Sequence, residues 1–141
     1  MIQVFLDANV YFAGFYSAKG ASRAVLELAK KRKIQIIASG LVLKEADRNL
    51  RKKTDAKISD QFRRFLKNTK IIVVPPPTDT SLQPYTSYTN FKDIPVLAAA
   101  FESKAHFLVT LDRKHFFTSK VLSLSKKTKI VTPGELLRIL K

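Results

Sequence analysis

Short apolar runs alternate with amphipathic segments along this chain, and this alternation limits the fold more than any other feature of the sequence. Runs rich in β-branched and aromatic residues predict strands at residues 2–6, 34–38, 71–74 and 107–110, with a short fifth at 129–131. Apolar residues at helical spacing predict helices at 22–33, 41–53, 58–66 and 93–104, and a last one from residue 132. Such alternation favours an α/β fold, a three-layer α/β/α sandwich with a central, mostly parallel sheet of four to five strands.

The length of the chain matches one domain. With 141 residues, it is expected to form a single domain over residues 1–141 around one hydrophobic core. Residues 75–90 are rich in Pro, Ser and Thr and predict an irregular crossing loop with no second domain. The run at 71–74 is β-branched throughout, which favours a strand buried on both faces.

The charge of the chain indicates its class of partner. It has 26 Lys and Arg against 11 Asp and Glu, a net charge of +15, which favours nucleic acid first and an anionic membrane surface second. The absence of cysteine excludes disulfides, thiolate zinc sites, iron–sulfur clusters and cysteine nucleophiles. No apolar run approaches the roughly 20 residues of a membrane span, and no signal sequence is evident, so we expect a cytoplasmic protein without a membrane partner.

Most of the carboxylates have a local structural explanation. Three precede a base by four residues on a predicted helix: Glu27 with Lys31, Asp47 with Arg51, and Asp60 with Arg64. Others suit a helix cap, a turn, an exposed helix surface or a capping box: Asp55, Asp79, Glu102 and Glu135. Four of the eleven carboxylates remain: Asp7, Glu45, Asp93 and Asp112.

The remaining four carboxylates are expected near one edge of the sheet. Asp7 follows the first predicted strand and Asp112 the fourth, so parallel strands bring both to the edge where such folds bind ligands. Asp93 begins the helix before the fourth strand, and Glu45 lies toward the apolar side of its helix. Singly, they also suit helix caps, a turn or a helix rim. Together they would repel one another, and their natural complement is Mg²⁺ or Mn²⁺, which can activate water in phosphoryl chemistry.

Four segments carry a resemblance to a known family: residues 4–10 (VFLDANV), 43–45 (LKE), 92–100 (KDIPVLAAA) and 108–112 (LVTLD). In order and spacing they resemble the PIN-domain family, metal-dependent nucleases that include the VapC-like toxins of toxin–antitoxin systems. The resemblance covers essentially the whole chain. It implies that the catalytic and metal-binding residues are Asp7, Glu45, Asp93 and Asp112, and that Asn9 and Thr110 support them. It also implies an RNA substrate, single-stranded or structured, and an antitoxin partner, and it leaves a homodimer open.

The sequence departs from the family pattern near its acidic motifs. Asp47 lies two residues after Glu45 and is an alternative to it. The family often has a further acid close to the position matched by Asp93 or Asp112. In this chain the nearby positions hold Asn90, Lys92, Arg113 and Lys114, so the number of metal ions stays open between one and two. His115 follows soon after Asp112, but a single histidine beside phenylalanine is more typical of packing or phosphate contact than of metal ligation.

Basic and aromatic residues complete the predicted nucleic-acid interface. Those expected to follow a phosphate backbone toward the carboxylates are Lys30, Arg32, Arg51, Lys52, Arg113 and Lys114. In the loop, Tyr85, Tyr88 and Phe91 could stack on unpaired bases, with core packing as the alternative for Phe91.

The sequence therefore predicts a Mg²⁺- or Mn²⁺-dependent endoribonuclease, a hydrolase and the toxin of a toxin–antitoxin pair. Two other classes remain as alternatives. A non-catalytic RNA-binding or assembly protein with the same fold would need no metal, so the presence of all four acids counts against it. A phosphoacceptor of the response-regulator type also places Asp at strand ends, but a net charge of +15 suits it poorly.

Overall fold

All five strands are parallel and form one sheet in the order β3-β2-β1-β4-β5. A computed structural model describes residues 1–141. The strands are β1 (Gln3–Leu6), β2 (Gln35–Ser39), β3 (Ile71–Val74), β4 (Phe107–Val109) and β5 (Lys129–Val131). Their positions match the predicted runs, and the predicted parallel sheet is confirmed.

Helices cover both faces of this sheet. They are α1 (Ala8–Tyr16), α2 (Ala21–Lys30), α3 (Gly40–Lys53), α4 (Ala56–Asn68), α5 (Asp79–Leu82), α6 (Ile94–Glu102), α7 (Arg113–Phe116), α8 (Ser119–Leu122) and α9 (Pro133–Leu140), with a 3₁₀ turn at Gln83–Tyr85. Helices α1 to α4 and α9 contact one another on one side, and α6 packs against β2. Right-handed crossovers put α6 on the opposite face, which gives the expected three-layer α/β/α sandwich. None of the helices is both long enough and apolar enough to span a membrane.

Side-chain caps define several helix starts, as the sequence indicates. The Ser39 hydroxyl accepts from the Val42 N–H at the start of α3, and the Asp55 carboxylate accepts from the Ile58 N–H at the start of α4. Thr132 and Glu135 form the predicted capping box of α9. These caps fix where each helix leaves the sheet.

Three features differ from the sequence-based expectation. Helix α1 was not predicted, because its sequence is apolar on every side and it packs against α2, α3 and α4. Strand β3 lies at an edge of the sheet, and its Ile72 and Val73 are 41% and 56% exposed, so the prediction of a buried strand is wrong. The 75–90 segment contains α5 and the 3₁₀ turn and is not wholly irregular.

The strand order creates a switch point between β1 and β4. The chain moves from β1 to one side through β2 and β3, and from β4 to the other side through β5. Helices that leave neighbouring strands in opposite directions open a crevice at the carboxyl ends of those strands. Asp7 directly follows β1 and Thr110 directly follows β4, so both lie at this crevice.

Candidate functional site

Asp7 is the most enclosed carboxylate at the switch point. Asp7 is the N-cap residue of α1 and is only 6% exposed. Oδ1 accepts from the Ala8 N–H at 2.8 Å, and Oδ2 accepts from the Thr110 hydroxyl at 2.8 Å and from the Asn9 amide at 3.2 Å. All three donors are neutral, and no Lys or Arg forms an ion pair with this buried group.

Burial raises the pKa of Asp7 to about 6, although hydrogen bonds from Thr110 and Ala8 act to lower it. The neighbouring carboxylates Glu45 and Asp93 raise it further by charge repulsion. Ionised Asp7 therefore destabilises the metal-free protein, and a cation bound beside it would offset this effect.

Asn9 and Thr110 tie the ends of β1 and β4 together. The Asn9 amide also donates to the Thr110 hydroxyl oxygen at 3.3 Å, while Asn9 Oδ1 accepts from the Leu111 N–H at 3.1 Å. Thr110 Oγ1 in turn accepts from the Asp112 N–H at 3.1 Å. These bonds hold Asp7 and the segment that carries Asp112 in one network, which is the arrangement that a supporting role requires.

Asp93 stands at the start of α6 but does not cap it with its side chain. In the turn before α6, Asn90 Oδ1 accepts from the N–H groups of Lys92 at 2.9 Å and Asp93 at 3.3 Å. Burial raises the pKa of Asp93, and the charges of Asp112 and Glu45 add to this, while His115 and Asn90 lower it. Capping therefore does not explain the Asp93 carboxylate.

Asp112 combines a capping oxygen with an oxygen that faces the site. Oδ1 accepts from the His115 N–H at 3.1 Å and so caps α7. Oδ2 lies 2.8 Å from His115 Nδ1, and this nitrogen lies 3.6 Å from Asp93 Oδ2. The structure thus brings His115, which the sequence assigned to packing or phosphate contact, into contact with two carboxylates of the predicted set.

A cleft of about 250 Å³ lies between Asp7, Asp93 and Asp112, and we call it the carboxylate cleft; His115 lies beside it, against Asp93 and Asp112. Its lining residues are Asp7, Ala8, Asn9, Phe12, Glu45, Asn49, Lys53, Asp93 and Asp112. All four predicted acids therefore line it. Asp47, the alternative to Glu45, instead pairs with Arg51 at 3.0 Å and with Arg63 at 3.5 Å.

Two lining residues on α3 were not among the predicted site residues. Asn49 and Lys53 follow Glu45 at intervals of four, which places all three on one face of α3. Lys53 Nζ lies 5.6 Å from the centre of the Phe12 ring, which holds its ammonium at the cleft. The four-residue spacing from Glu45 was the signal that could have indicated them.

The predicted basic residues fall into two groups. Arg113 and Lys114 directly follow Asp112 at the carboxyl edge, while Arg51 and Lys52 are exposed near the end of α3. Lys30 and Arg32 precede β2, which starts beside the first residues of β1, so they lie at the opposite edge of the sheet. The expectation that these two lead toward the carboxylates is wrong.

Two further ion pairs differ from those expected. Glu27 pairs with Arg23 at 3.3 Å and with Lys30 at 3.7 Å, and Lys31 is not its partner. Asp60 pairs with Arg63 at 3.0 Å, a helical neighbour three residues on. Both acids still have local Lys or Arg partners, which none of the four carboxylates at the switch point has, so the two sets remain distinct.

The donor set of the carboxylate cleft fits a divalent cation. Ligand atoms of Asp93, Asp112 and His115 all lie within 4.8 Å of one another. Asp7 adds a buried carboxylate to the lining of the same cleft. Carboxylate oxygens are the ligands that Mg²⁺ and Mn²⁺ prefer, and positive charge would relieve the repulsion that raises the pKa of Asp7 and Asp93. These residues can hold such an ion.

Comparison with solved structures places this fold among known ones. VapBC2 from Rickettsia felis, bound to a DNA fragment from its promoter, aligns with a TM-score of 0.63 at 18% identity over 93% of this chain and 98% of that chain. PAE2754 from Pyrobaculum aerophilum aligns with a TM-score of 0.65 at 24% identity over 99% and 89%. FitAcB from Neisseria gonorrhoeae aligns with a TM-score of 0.60 at 14% identity over 93% and 98%. The TM-scores establish a common fold, and at these identities the similarity shows the fold alone.

The sequence itself decides the family. No curated protein matches this chain significantly. The family model described as PIN domain matches residues 3–114, a span that holds all four lining carboxylates. The predicted resemblance is thereby confirmed, and the chain belongs to the PIN-domain family.

Proposed function

We propose that this chain is a Mg²⁺- or Mn²⁺-dependent endoribonuclease whose metal-binding and catalytic residues are Asp7, Glu45, Asp93 and Asp112. The observation that carries the proposal is the buried Asp7 carboxylate, which faces other carboxylates and has only neutral hydrogen-bond donors. A group that destabilises the free protein in this way is explained by an ion that binds there. Membership of the PIN-domain family, whose members are generally nucleases, supports the same conclusion.

The metal and the protein would divide the chemistry between them. A bound Mg²⁺ or Mn²⁺ would lower the pKa of a water and offset the negative charge that develops on the phosphate. Asp7, Asp93 and Asp112 would hold the ion, and Asn9 with Thr110 keeps the Asp7 carboxylate in place. Glu45, half-buried on the wall of the cleft, would orient the attacking water and accept its proton.

The groups around the carboxylate cleft suit a nucleic-acid strand. Lys53 lines the cleft, and Arg113 and Lys114 directly follow Asp112, so each can bind a phosphate. Phe91, two residues before Asp93, is 89% exposed and can stack on an unpaired base. Tyr85, by contrast, is half-buried with its ring 6.1 Å from that of Phe101, so it belongs to the packing of the loop.

RNA as the substrate and a toxin role rest on the resemblance to VapC-like toxins. An antitoxin partner follows from the same resemblance, and the similarity of fold to VapBC2 agrees with it. The net charge of +15 suits both an RNA substrate and an acidic antitoxin segment that would neutralise this surface. The proposed site is a property of the single chain, and a homodimer is compatible with it.

The test is cleavage of a labelled single-stranded RNA with Mg²⁺, with Mn²⁺ and with a chelator. Asp7→Asn, Asp93→Asn and Asp112→Asn should each reduce metal-dependent cleavage to background while RNA binding is kept. Asp47→Asn is the matched control, because this acid lies near Glu45 in sequence but pairs with Arg51, and it should keep cleavage. RNA binding without metal-dependent cleavage by the wild type would instead support the non-catalytic RNA-binding alternative.

The salt dependence of RNA binding tests the path of the strand. Each phosphate neutralised should add roughly −0.7 to the slope of log affinity against log salt. Lys53→Gln and Arg113→Gln should flatten this slope, whereas Lys30→Gln and Arg32→Gln, on the opposite edge, should change it little. A larger effect from the Lys30 and Arg32 variants would place the strand away from the cleft.

A further inference from the structure

We infer that His115 is a metal ligand, so that the carboxylate cleft has a mixed nitrogen and oxygen donor set that favours Mn²⁺ over Mg²⁺. The inference rests on the proposed function, because it concerns the ion at that site. It extends the proposal by assigning a residue outside the four acidic positions. It also makes the choice between the two ions a property of this chain.

The first step is the distance between the donor atoms. Two ligands at right angles on one ion, each about 2.1 Å from it, lie about 3.0 Å apart. His115 Nδ1 lies 2.8 Å from Asp112 Oδ2 and 3.6 Å from Asp93 Oδ2. In the metal-free protein the 2.8 Å contact is a hydrogen bond between His115 and Asp112. An ion that replaces the shared proton would find the three atoms spaced as neighbouring ligands, with small shifts needed on the Asp93 side.

The second step is the rigidity of the histidine. Its N–H donates to Asp112 Oδ1 at 3.1 Å, and its carbonyl oxygen accepts from the Thr89 hydroxyl at 2.9 Å. Both backbone groups of His115 are thus held, one by a cleft carboxylate and one by the loop before α6. A ligand whose backbone is fixed before the ion binds loses little conformational freedom on binding.

The third step is the comparison with the other histidine. His106 precedes β4 at the opposite edge of the sheet, and its Nδ1 accepts from the Gln3 N–H at 2.9 Å. That nitrogen has a backbone partner far from any carboxylate cluster. Of the two histidines in the chain, only His115 presents a ring nitrogen to acidic oxygens.

The consequence concerns which ion binds. Both ions bind carboxylate oxygen well, but Mg²⁺ takes oxygen ligands almost alone, whereas Mn²⁺, a first-row transition ion, also accepts imidazole nitrogen. A site with His115 should therefore bind Mn²⁺ more tightly than Mg²⁺. His115→Gln, which keeps a polar side chain of similar length, should lower the ratio of Mn²⁺ to Mg²⁺ affinity by about tenfold, the scale expected for loss of one ligand contact.

The experiment measures Mn²⁺ directly by electron paramagnetic resonance on the full chain, without any RNA. Titration gives the affinity, with Mg²⁺ as competitor, for wild type, His115→Gln and the control His106→Gln. Histidine labelled with ¹⁵N in the His106→Gln background makes His115 the sole labelled residue, and bound Mn²⁺ should then show coupling to ¹⁵N. Circular dichroism of the metal-free variants checks that each is folded.

Each outcome decides the matter. Coupling to ¹⁵N, together with a fall in the affinity ratio in His115→Gln alone, supports the inference. Mn²⁺ that binds wild type without ¹⁵N coupling, and with an unchanged ratio in His115→Gln, overturns His115 as a ligand and leaves the proposed metal site intact. Wild type that binds no Mn²⁺ overturns both.

Discussion

The start of α9 and the carboxylate cleft both contain carboxylates near helix N-termini, yet their environments have opposite effects. At α9, Glu135 Oε1 accepts from the Thr132 N–H at 2.9 Å, and this bond lowers the pKa of Glu135, with Arg113 and Arg138 acting in the same direction. In the cleft, burial raises the pKa of Asp7 and Asp93, and the other carboxylates raise it further.

Carboxylates of the first kind stabilise the fold when ionised, whereas those of the second kind destabilise it. Ionised Glu135 satisfies a helix terminus and has basic groups nearby, so its charge contributes to stability. Ionised Asp7 has neutral donors and acidic neighbours, so its charge reduces stability in the metal-free protein. A carboxylate whose charge reduces the stability of the metal-free protein is explained by a functional role and not by a role in the fold.

The largest expected effect is the pH dependence of metal-free stability. The pKa of Asp7 is about 6 in the folded protein, against an ordinary value of 3.8 that applies to the unfolded chain. As pH rises, the unfolded chain therefore loses this proton before the folded protein does. The contribution of Asp7 to the free energy of unfolding should therefore fall as pH rises from about 4 to about 6, by about 3 kcal/mol at most. Asp93 acts in the same direction.

The measurement is urea unfolding of metal-free wild type and Asp7→Asn between pH 4 and pH 8. The variant should gain stability relative to wild type as pH rises from about 4 to about 6, and the difference between the two proteins should stay constant above that range. The loss of hydrogen-bond geometry in the amide adds an offset that does not depend on pH. A difference between the two proteins that is flat with pH would show that Asp7 is an ordinary solvated or capping carboxylate.

A slightly smaller effect is expected from Mn²⁺. At a concentration about a hundred times its dissociation constant, the ion should stabilise wild type by about 2.7 kcal/mol and raise the melting temperature by several degrees. Asp93→Asn should largely lose this shift, since its carboxylate faces the site and does not cap α6. Glu135→Gln should keep the full shift, although it starts from a less stable protein.

Equal Mn²⁺ shifts in wild type and Asp93→Asn would contradict the assignment of the metal to the carboxylate cleft. Loss of the shift in Glu135→Gln would contradict the separation of the two regions. Both results are read from thermal melts with and without Mn²⁺, so neither depends on the identity of the RNA substrate.

The sequence predicts the two regions to different depths. The capping box was readable because its residues are three apart and its partners are local. Asp7 and Asp112 were readable because parallel strands bring their ends to one edge. His115 was not assigned to the carboxylates, because the direction of its side chain depends on the turn after β4. Lys53 was missed although its spacing from Glu45 places both on one face of α3.

The fold shows the same division between local and long-range information. Strand and helix types follow from hydrophobic periodicity, which acts over a few residues. The edge position of β3 depends on the order of all five strands, and no local pattern in 71–74 reports it. Helix α1 lacks a polar face because three helices surround it, so the usual amphipathic pattern is absent.

The next effect, of about 1 kcal/mol, is loss of the α9 cap. Thr132→Ala removes the hydroxyl that accepts from the Glu135 N–H at 3.1 Å and should destabilise the protein by about 1 kcal/mol at neutral pH. Because the pKa of Glu135 is lowered, its contribution is present at neutral pH and should be lost as pH falls below its ordinary value, the reverse of Asp7. Wild type compared with Glu135→Gln across pH 3 to pH 7 measures this sign.

The smallest expected effect concerns Tyr11, one helical turn after Asp7. Its hydroxyl is fully buried and has no hydrogen-bond partner, and burial raises the pKa of Tyr11, with the nearby Asp7 charge adding to this. Its ring packs edge-on against Phe62 at 5.9 Å, and Tyr11→Phe keeps that contact.

Removing the hydroxyl of Tyr11 should therefore leave the packing of the ring intact. It should also remove the penalty for burying a polar group without a hydrogen-bond partner, and so stabilise the protein by up to about 1 kcal/mol. Urea unfolding of Tyr11→Phe at neutral pH checks the sign, and RNA cleavage checks that this residue takes no part in the chemistry. A stabilised variant with full cleavage would show that the buried Tyr11 hydroxyl lowers the stability of the protein and takes no part in the chemistry. A variant destabilised by more than about 1 kcal/mol would instead mean that the hydroxyl has a bound water as partner.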